Sequence, residues 1–245
     1  TDTVECLGGE LVAHPTSNFD VGKMASDVQN VLPLKPDVVI VGIIDPKATK
    51  AALQPLVDAG VKVVTLIQPI EDWEAGKEYV TNMNYSTAKA GKLLAEAVHE
   101  RYPDGAKLAW IYLDQHSPSN NAREEAFLAA AQSYGNIEVV TKEPMGNPLD
   151  VQPIASAILQ KHPDVQVIFA PWDVPAQGVE AALTAAGRDD VKIVNYDLGA
   201  QGVAHMLSDG PIMAQQSSQV YEWGRTATMA GVLSTLGETV PGLLY

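Results

Sequence analysis

The chain of 245 residues holds a single cysteine, Cys6, so no internal disulfide can form and no thiolate pair exists to hold a metal. Basic residues are scarce. Sixteen Lys and Arg stand against 30 Asp and Glu, for a formal net charge of −14. That balance argues against nucleic acid and against an anionic membrane surface as partners, since both need clustered Lys and Arg. No apolar run reaches the roughly 18 residues of a membrane-spanning helix. The opening Thr1-Asp2-Thr3-Val4 lacks a basic start and an apolar stretch, so no signal peptide is read there. Neither G-x-G-x-x-G nor a P-loop follows any candidate strand, and G-x-S-x-G does not occur. His14, His99, His116, His162 and His205 show no zinc spacing. Asp114, His116 and Ser117 are neighbours in sequence, but a catalytic triad draws its members from separate elements. No catalytic constellation, phosphate cradle or metal-ligand spacing is therefore read from the sequence, and no cofactor or metal is expected.

What the chain does have is 46% hydrophobic and 19% charged residues, enough apolar material for two modest cores. It is distributed as apolar strand, turn and amphipathic helix, repeated. Strands are expected at Thr3–Leu7, Val38–Ile43, Val61–Leu66, Ala106–Leu113, Ile137–Glu143, Val165–Ala170, Val191–Tyr196 and Pro211–Gln216. Helices are expected at Val21–Leu32, Lys47–Ala59, Thr87–Arg101, Asn121–Tyr134, Val151–Lys161, Ala176–Ala186, Ala200–Leu207 and Glu222–Leu236. Continuous β-branched runs such as Val38-Val39-Ile40-Val41 mark strands covered on both faces, the habit of parallel sheets. In the stretch Asn18-Phe19-Asp20, Asp20 is placed to cap the first long helix, while Gly60 and Gly187 sit where a helix end wants a left-handed residue. Lys35-Pro36-Asp37-Val38 recurs as His162-Pro163-Asp164-Val165, an echo that fits two similar α/β halves.

Right-handed crossovers gather the loops after the strands at one sheet edge, where ligands of such folds bind. Those loops hold Gly42–Asp45, Gln68, Asp114–Asn121, Trp172-Asp173, Asp197 and Gln216–Gln219.

Five stretches, in order and spacing, carry a resemblance: NFDVGKMASDVQNVLPLKPDVVIV; AALQPLVDAGVKVVTL; Asn120-Asn121-Ala122-Arg123 with Phe127 beyond; HPDVQVIFAPWDVPAQGVEAALTAAGRDDVKIVNYD; and DGPIMAQQSSQVYEWGRTA. Together they resemble the ribose-binding type of periplasmic sugar-binding protein, the type I solute-binding proteins of ABC transporters, over roughly Thr3 to Gly242. The resemblance implies an α/β fold of two Rossmann-like lobes with parallel sheets flanked by helices, joined by a hinge. The first lobe would hold 1–83 and 219–240, the second 84–218. It also implies a strand and helix ahead of Thr3 and one further chain crossing after Tyr245. The function implied is capture of a sugar or polyol in a cleft between lobes by hinge closure. A monomer in the periplasm, or lipid-anchored outside the cytoplasm, would present that ligand to a membrane permease. An effector domain of a LacI-type repressor shares the fold, and an α/β sugar-modifying enzyme is a more distant alternative.

The site residues follow from strand ends and resemblance together. Arg123 offers a planar fork that suits adjacent hydroxyls or a carboxylate, its alternative being a solvated surface arginine. Asp197 can accept two hydroxyls, or cap the next helix. Trp172 offers a ring face to a sugar's C–H groups, or packs at the interface between the lobes. Asp173 binds ligand or caps the helix near Ala176. Asn120, Gln68, Gln216 and Ser218 add neutral donors and acceptors. Where the family often reads Asp-Arg, Asn-Pro, Asn-Asp and a late Gln, this chain has Ile67-Gln68, Gly42-Ile43, Trp172-Asp173 and Ser218. Those departures imply a pocket for an acyclic polyol or a differently oriented sugar rather than ribose itself.

Overall fold

A computed structural model describes residues 2–17, 20–43, 45–84, 86–114 and 118–244. The readings placed on Asn18, Phe19, Ile44, His116 and Ser117 fall outside the described residues. The chain divides into two compact units, Thr1–Tyr85 with Gln219–Tyr245, and Ser86–Ser218. In chain order the first unit begins with α1 (Asp2–Cys6), α2 (Val21–Val31), β1 (Val38–Gly42), α3 (Pro46–Asp58), β2 (Lys62–Leu66) and β3 (Thr81–Met83). The second unit runs α4 (Thr87–Arg101), β4 (Ala106–Leu113), α5 (Pro118–Tyr134), β5 (Ile137–Met145), α6 (Val151–Lys161), β6 (Val167–Ala170), α7 (Asp173–Ala186), β7 (Lys192–Tyr196), α8 (Ala200–Leu207) and β8 (Ile212–Gln216). The chain then returns to the first unit with α9 (Val220–Thr235) and β9 (Leu243–Leu244).

Both sheets are wholly parallel. The first unit's strand order is β1-β2-β3-β9, and the second's is β5-β4-β6-β7-β8. The helices cover the strands as the apolar runs require. In the second unit Ala109, Ile111, Ile168, Ala170 and Ile193 are buried with the inner faces of α6 and α7. In the first, Leu53 and Leu56 of α3 pack with Val63, and Trp223 and Ala227 of α9 pack with Val64 and Met83. Among the described residues β1 has one neighbour, β2, and Ile40 on β1 is exposed. No helix among them is long and apolar enough to cross a membrane.

The helix ends follow side-chain chemistry. The Asp20 carboxylate accepts from Lys23 N at 2.9 Å, capping α2, and Gly187 closes α7 at φ +63°. One expected strand is a helix. Thr3–Cys6 lies in α1, which carries Asp2 and Glu5 in its first turn, and Leu7 follows in a turn with Gly8 (φ +76°), whose N–H donates to Glu5 O at 2.9 Å. Acidic residues at the start and a left-handed glycine past the end are helix signals that outweigh one short mixed run. β3 and β9 are too short for a hydrophobic period; they exist through pairing, with the Thr81 hydroxyl donating to Pro241 O at 2.6 Å.

Candidate functional site

The carboxyl ends of β6, β7 and β8 carry most of the candidate residues. Register fixes their heights: Ala170 pairs with Asn195, and Tyr196 pairs with Gln216. Trp172 and Asp197 therefore each come two residues past the same line, with Ser218 two past Gln216.

Arg123 and Asp197 meet here. Arg123 Nη1 donates to Asp197 Oδ2 at 3.0 Å, with side-chain exposures of 9% and 30%. The Ser218 hydroxyl donates to the other oxygen, Asp197 Oδ1. The guanidinium carbon lies 5.5 Å from the centroid of the Tyr196 ring, and Tyr196 Oη donates to the Arg123 carbonyl at 2.7 Å. The ion pair cancels the two charges locally in a partly desolvated setting. A carboxylate has roughly four lone-pair directions, and Arg123 and Ser218 take two. The cluster thus presents charge-polarised acceptors without net charge, which suits neutral hydroxyls.

Local structure explains the placement, with some corrections. α5 begins at Pro118, so Arg123 stands in the second turn and not at the helix start, and Asn120 stands in the first turn and not in a preceding loop. Spacing of three puts Asn120 and Arg123 on one helix face, the face whose next member, Phe127, is fully buried. Pro at the first helical position is tolerated because its missing N–H would have no intrahelical partner anyway. Asp197 adopts φ +65°, and α8 is capped by Gly199, so Asp197 does not serve as a helix cap. Nor does Asp173 cap a helix at Ala176: α7 starts at Asp173 itself, with Trp172 in the cap position. The Asp173 carboxylate instead crowds Gly199, where a Cβ would come within 2.6 Å of Oδ2. There it faces the amino end of α8, a favourable place for negative charge. Trp172 is half-buried and packs against the second unit's core.

Gln216 spends its side-chain Nε2 on Ser217 O, while its main-chain carbonyl accepts from Asp197 N–H at 2.9 Å. Gln68 belongs to the other unit. It is buried after β2, behind Ile67 at φ +77°, and Nε2 donates to Ile43 O at 3.2 Å, tying the ends of β1 and β2. Sequence reading missed Tyr196 and Asn195, although polar groups at the end of the apolar strand Ile193-Val194 were the available signal.

Behind Arg123, Glu124 is half-buried and accepts from Trp110 Nε1 at 3.3 Å. Burial pushes its pKa up to about 7, against the lowering effect of the Trp110 bond and of Lys142 on β5, with Glu125 adding a small push upward. Trp110 itself stacks on Phe169 at 3.7 Å between centroids, within an aromatic group that includes Phe127 and Tyr196. Among the described residues no group of three or more His, Cys, Asp and Glu is placed to hold a metal.

Residues 2–239 match the family described as "Periplasmic binding protein domain". The ribose import binding protein RbsB of Bacillus subtilis is 25% identical over 212 residues, spanning 86% of this chain and 67% of that protein. The D-ribose/D-allose-binding protein of Pseudomonas aeruginosa is 26% identical over 211 residues, spanning 84% of this chain and 65% of that protein. The chain thus spans about two thirds of the length of these relatives. A crystal structure of an ABC transporter solute-binding protein from Mycobacterium smegmatis with bound glycerol has a TM-score of 0.86 and 26% identity, covering 99% of this chain and 83% of that one.

Proposed function

The chain belongs to the periplasmic binding protein family, and on that premise we propose that it is the solute-binding component of an ABC transporter for a sugar or polyol. The observation that carries this reading is the Arg123–Asp197–Ser218 cluster at the carboxyl ends of parallel strands. Arg123 and Asp197 are assigned the ligand's hydroxyls, with Asn120, Gln216 and Ser218 beside them. Trp172 supplies apolar area for the carbon skeleton, Asp173 supports the same edge, and Gln68 contributes from the first unit. Two charge-assisted hydrogen bonds at roughly 1.5–3 kcal/mol each, with ring contact, approach the ~8 kcal/mol of a micromolar complex.

Capture proceeds by closure. A ligand that touches both units favours the state in which they approach, with the crossings near 82–84 and Ser218–Gln219 as hinges. The protein then acts as a monomer outside the cytoplasm, periplasmic or lipid-anchored, presents its cargo to a membrane permease and performs no chemistry on it. Relatives named for import favour this reading over a repressor's effector domain.

A thermal-shift screen over pentoses, hexoses and polyols tests it. Ligand at 100 times its Kd adds about 2.7 kcal/mol of stability. A clear rise in Tm with at least one neutral polyhydroxylated compound supports the reading, and no response across the panel counts against it.

A further inference from the structure

We infer that Asn195 is a positioning residue that holds Asp197 in the left-handed backbone conformation from which its carboxylate serves the site; this rests on the ligand-binding reading above. Asn195 is fully buried at the end of β7, so it cannot touch a ligand itself. Its side-chain Nδ2 donates to two consecutive main-chain carbonyls, Tyr196 O at 2.8 Å and Asp197 O at 3.1 Å. Both amide protons are spent on one turn, and Asn195 Oδ1 has no hydrogen-bond partner among the described residues. The side chain is thus oriented by its donors.

The turn it grips is the unusual feature of the strand end. A residue at φ +65° is disfavoured by its own Cβ, less so for aspartate than for most, and at the buried end of β7 its partners fix it there. Here the surroundings are visible. Asp197 N–H is taken by Gln216 O at 2.9 Å, and Asp197 O accepts from Asn195 and, at 3.5 Å, from Gln215 Nε2. With the main chain pinned on both sides, the Asp197 carboxylate leaves the strand towards Arg123 and Ser218. An extended residue would send the same carboxylate elsewhere. Asn195-Tyr196-Asp197 therefore work as one device: Asn195 sets the turn, Tyr196 anchors the Arg123 backbone, and Asp197 meets the guanidinium.

Two readouts test this on the full chain. In the parent, NMR of Asp197 should show the strong intraresidue amide–α-proton NOE of a positive φ, and Asn195→Ala should weaken it. Calorimetric titration with D-ribose and D-allose should show a 10- to 100-fold loss of affinity in Asn195→Ala, but less than 2-fold in an Asp197→Asn background, because Asn195 acts through Asp197. Asn195→Ser, which keeps one donor, should fall between and serves if the alanine variant does not fold. An unchanged NOE in a folded variant overturns the inference whatever the protein binds. An equal loss in both backgrounds also overturns it, since that is what a merely structural residue would give. If the parent binds neither sugar while the NOE weakens as stated, the positioning role stands and the ligand reading is what fails for those sugars.

Discussion

Arg123 on α5 and Asp197 after β7 lie 74 residues apart in the chain and meet at 3.0 Å. Neither element packs its partner's charge by chance. Tyr196 holds the Arg123 carbonyl from one side, Ser218 holds the Asp197 carboxylate from the other, and the register of β7 with β8 brings the two together.

Gly91 on α4 lets α4 and α5 touch backbone to backbone. A Cβ there would lie 2.5 Å from the Ala126 carbonyl carbon and the Phe127 nitrogen. Alanine is the better helix former by ~1 kcal/mol, but backbone cannot yield as a flexible side chain would. Gly91→Ala should therefore destabilise the fold by about 1–3 kcal/mol in urea titration. A variant as stable as the parent would mean that the two helices are not in this close contact.

Glu124 gives a pH dependence of defined sign. Its pKa in the folded chain, about 7, lies above the ordinary 4.5. The folded state therefore holds a proton that the unfolded chain has released, and stability falls as pH rises from 4.5 through 7. Allowing for its partial exposure, the loss is about 1–2 kcal/mol. Glu124→Gln, which keeps the neutral form, should flatten that part of the pH profile by the same amount. Parallel profiles for parent and variant would contradict the burial of this carboxyl.

Strand positions were legible because buried parallel strands are written as continuous runs, and β4, α4, α6 and α8 fall where those runs and their flanking turns put them. What stayed hidden depends on partners distant in sequence. Thr81–Met83 is a strand only because β2 and β9 flank it, and Asn82 is buried in that strand because its Oδ1 accepts the Thr65 hydroxyl at 2.9 Å. In the site, Arg123 and Asp197 were each readable as hydroxyl-binding types. Their pairing, the left-handed turn at Asp197 and the Tyr196 anchor were not, since a pairing across 74 residues is set by sheet register and not by local pattern.

Closure predicts a change of size. Saturating a sugar that raises the Tm should reduce the radius of gyration in small-angle scattering. A scattering curve that does not change on binding would contradict the hinge mechanism while leaving the site itself intact.

Trp172 separates ring contact from core packing. Trp172→Ala should weaken the same sugar by ~1–3 kcal/mol, mostly as lost apolar contact, while Trp172→Phe recovers most of it. Because the ring also packs on the second unit's core, both variants need a matched urea titration. A full loss of stability with no change in affinity would assign Trp172 to packing alone.

The most direct measurement is calorimetric titration of the parent, Arg123→Ala, Asp197→Ala and Lys161→Ala with the sugar or polyol that the thermal screen identifies. Removing either member of the pair leaves its partner and the ligand's hydroxyls short of hydrogen bonds. Each should cost about 2–4 kcal/mol, or roughly 30- to 1000-fold in affinity. Lys161, exposed in the last turn of α6, should leave affinity within about 2-fold of the parent. If Arg123→Ala and Asp197→Ala fold and bind as tightly as the parent, the pair is not the binding site.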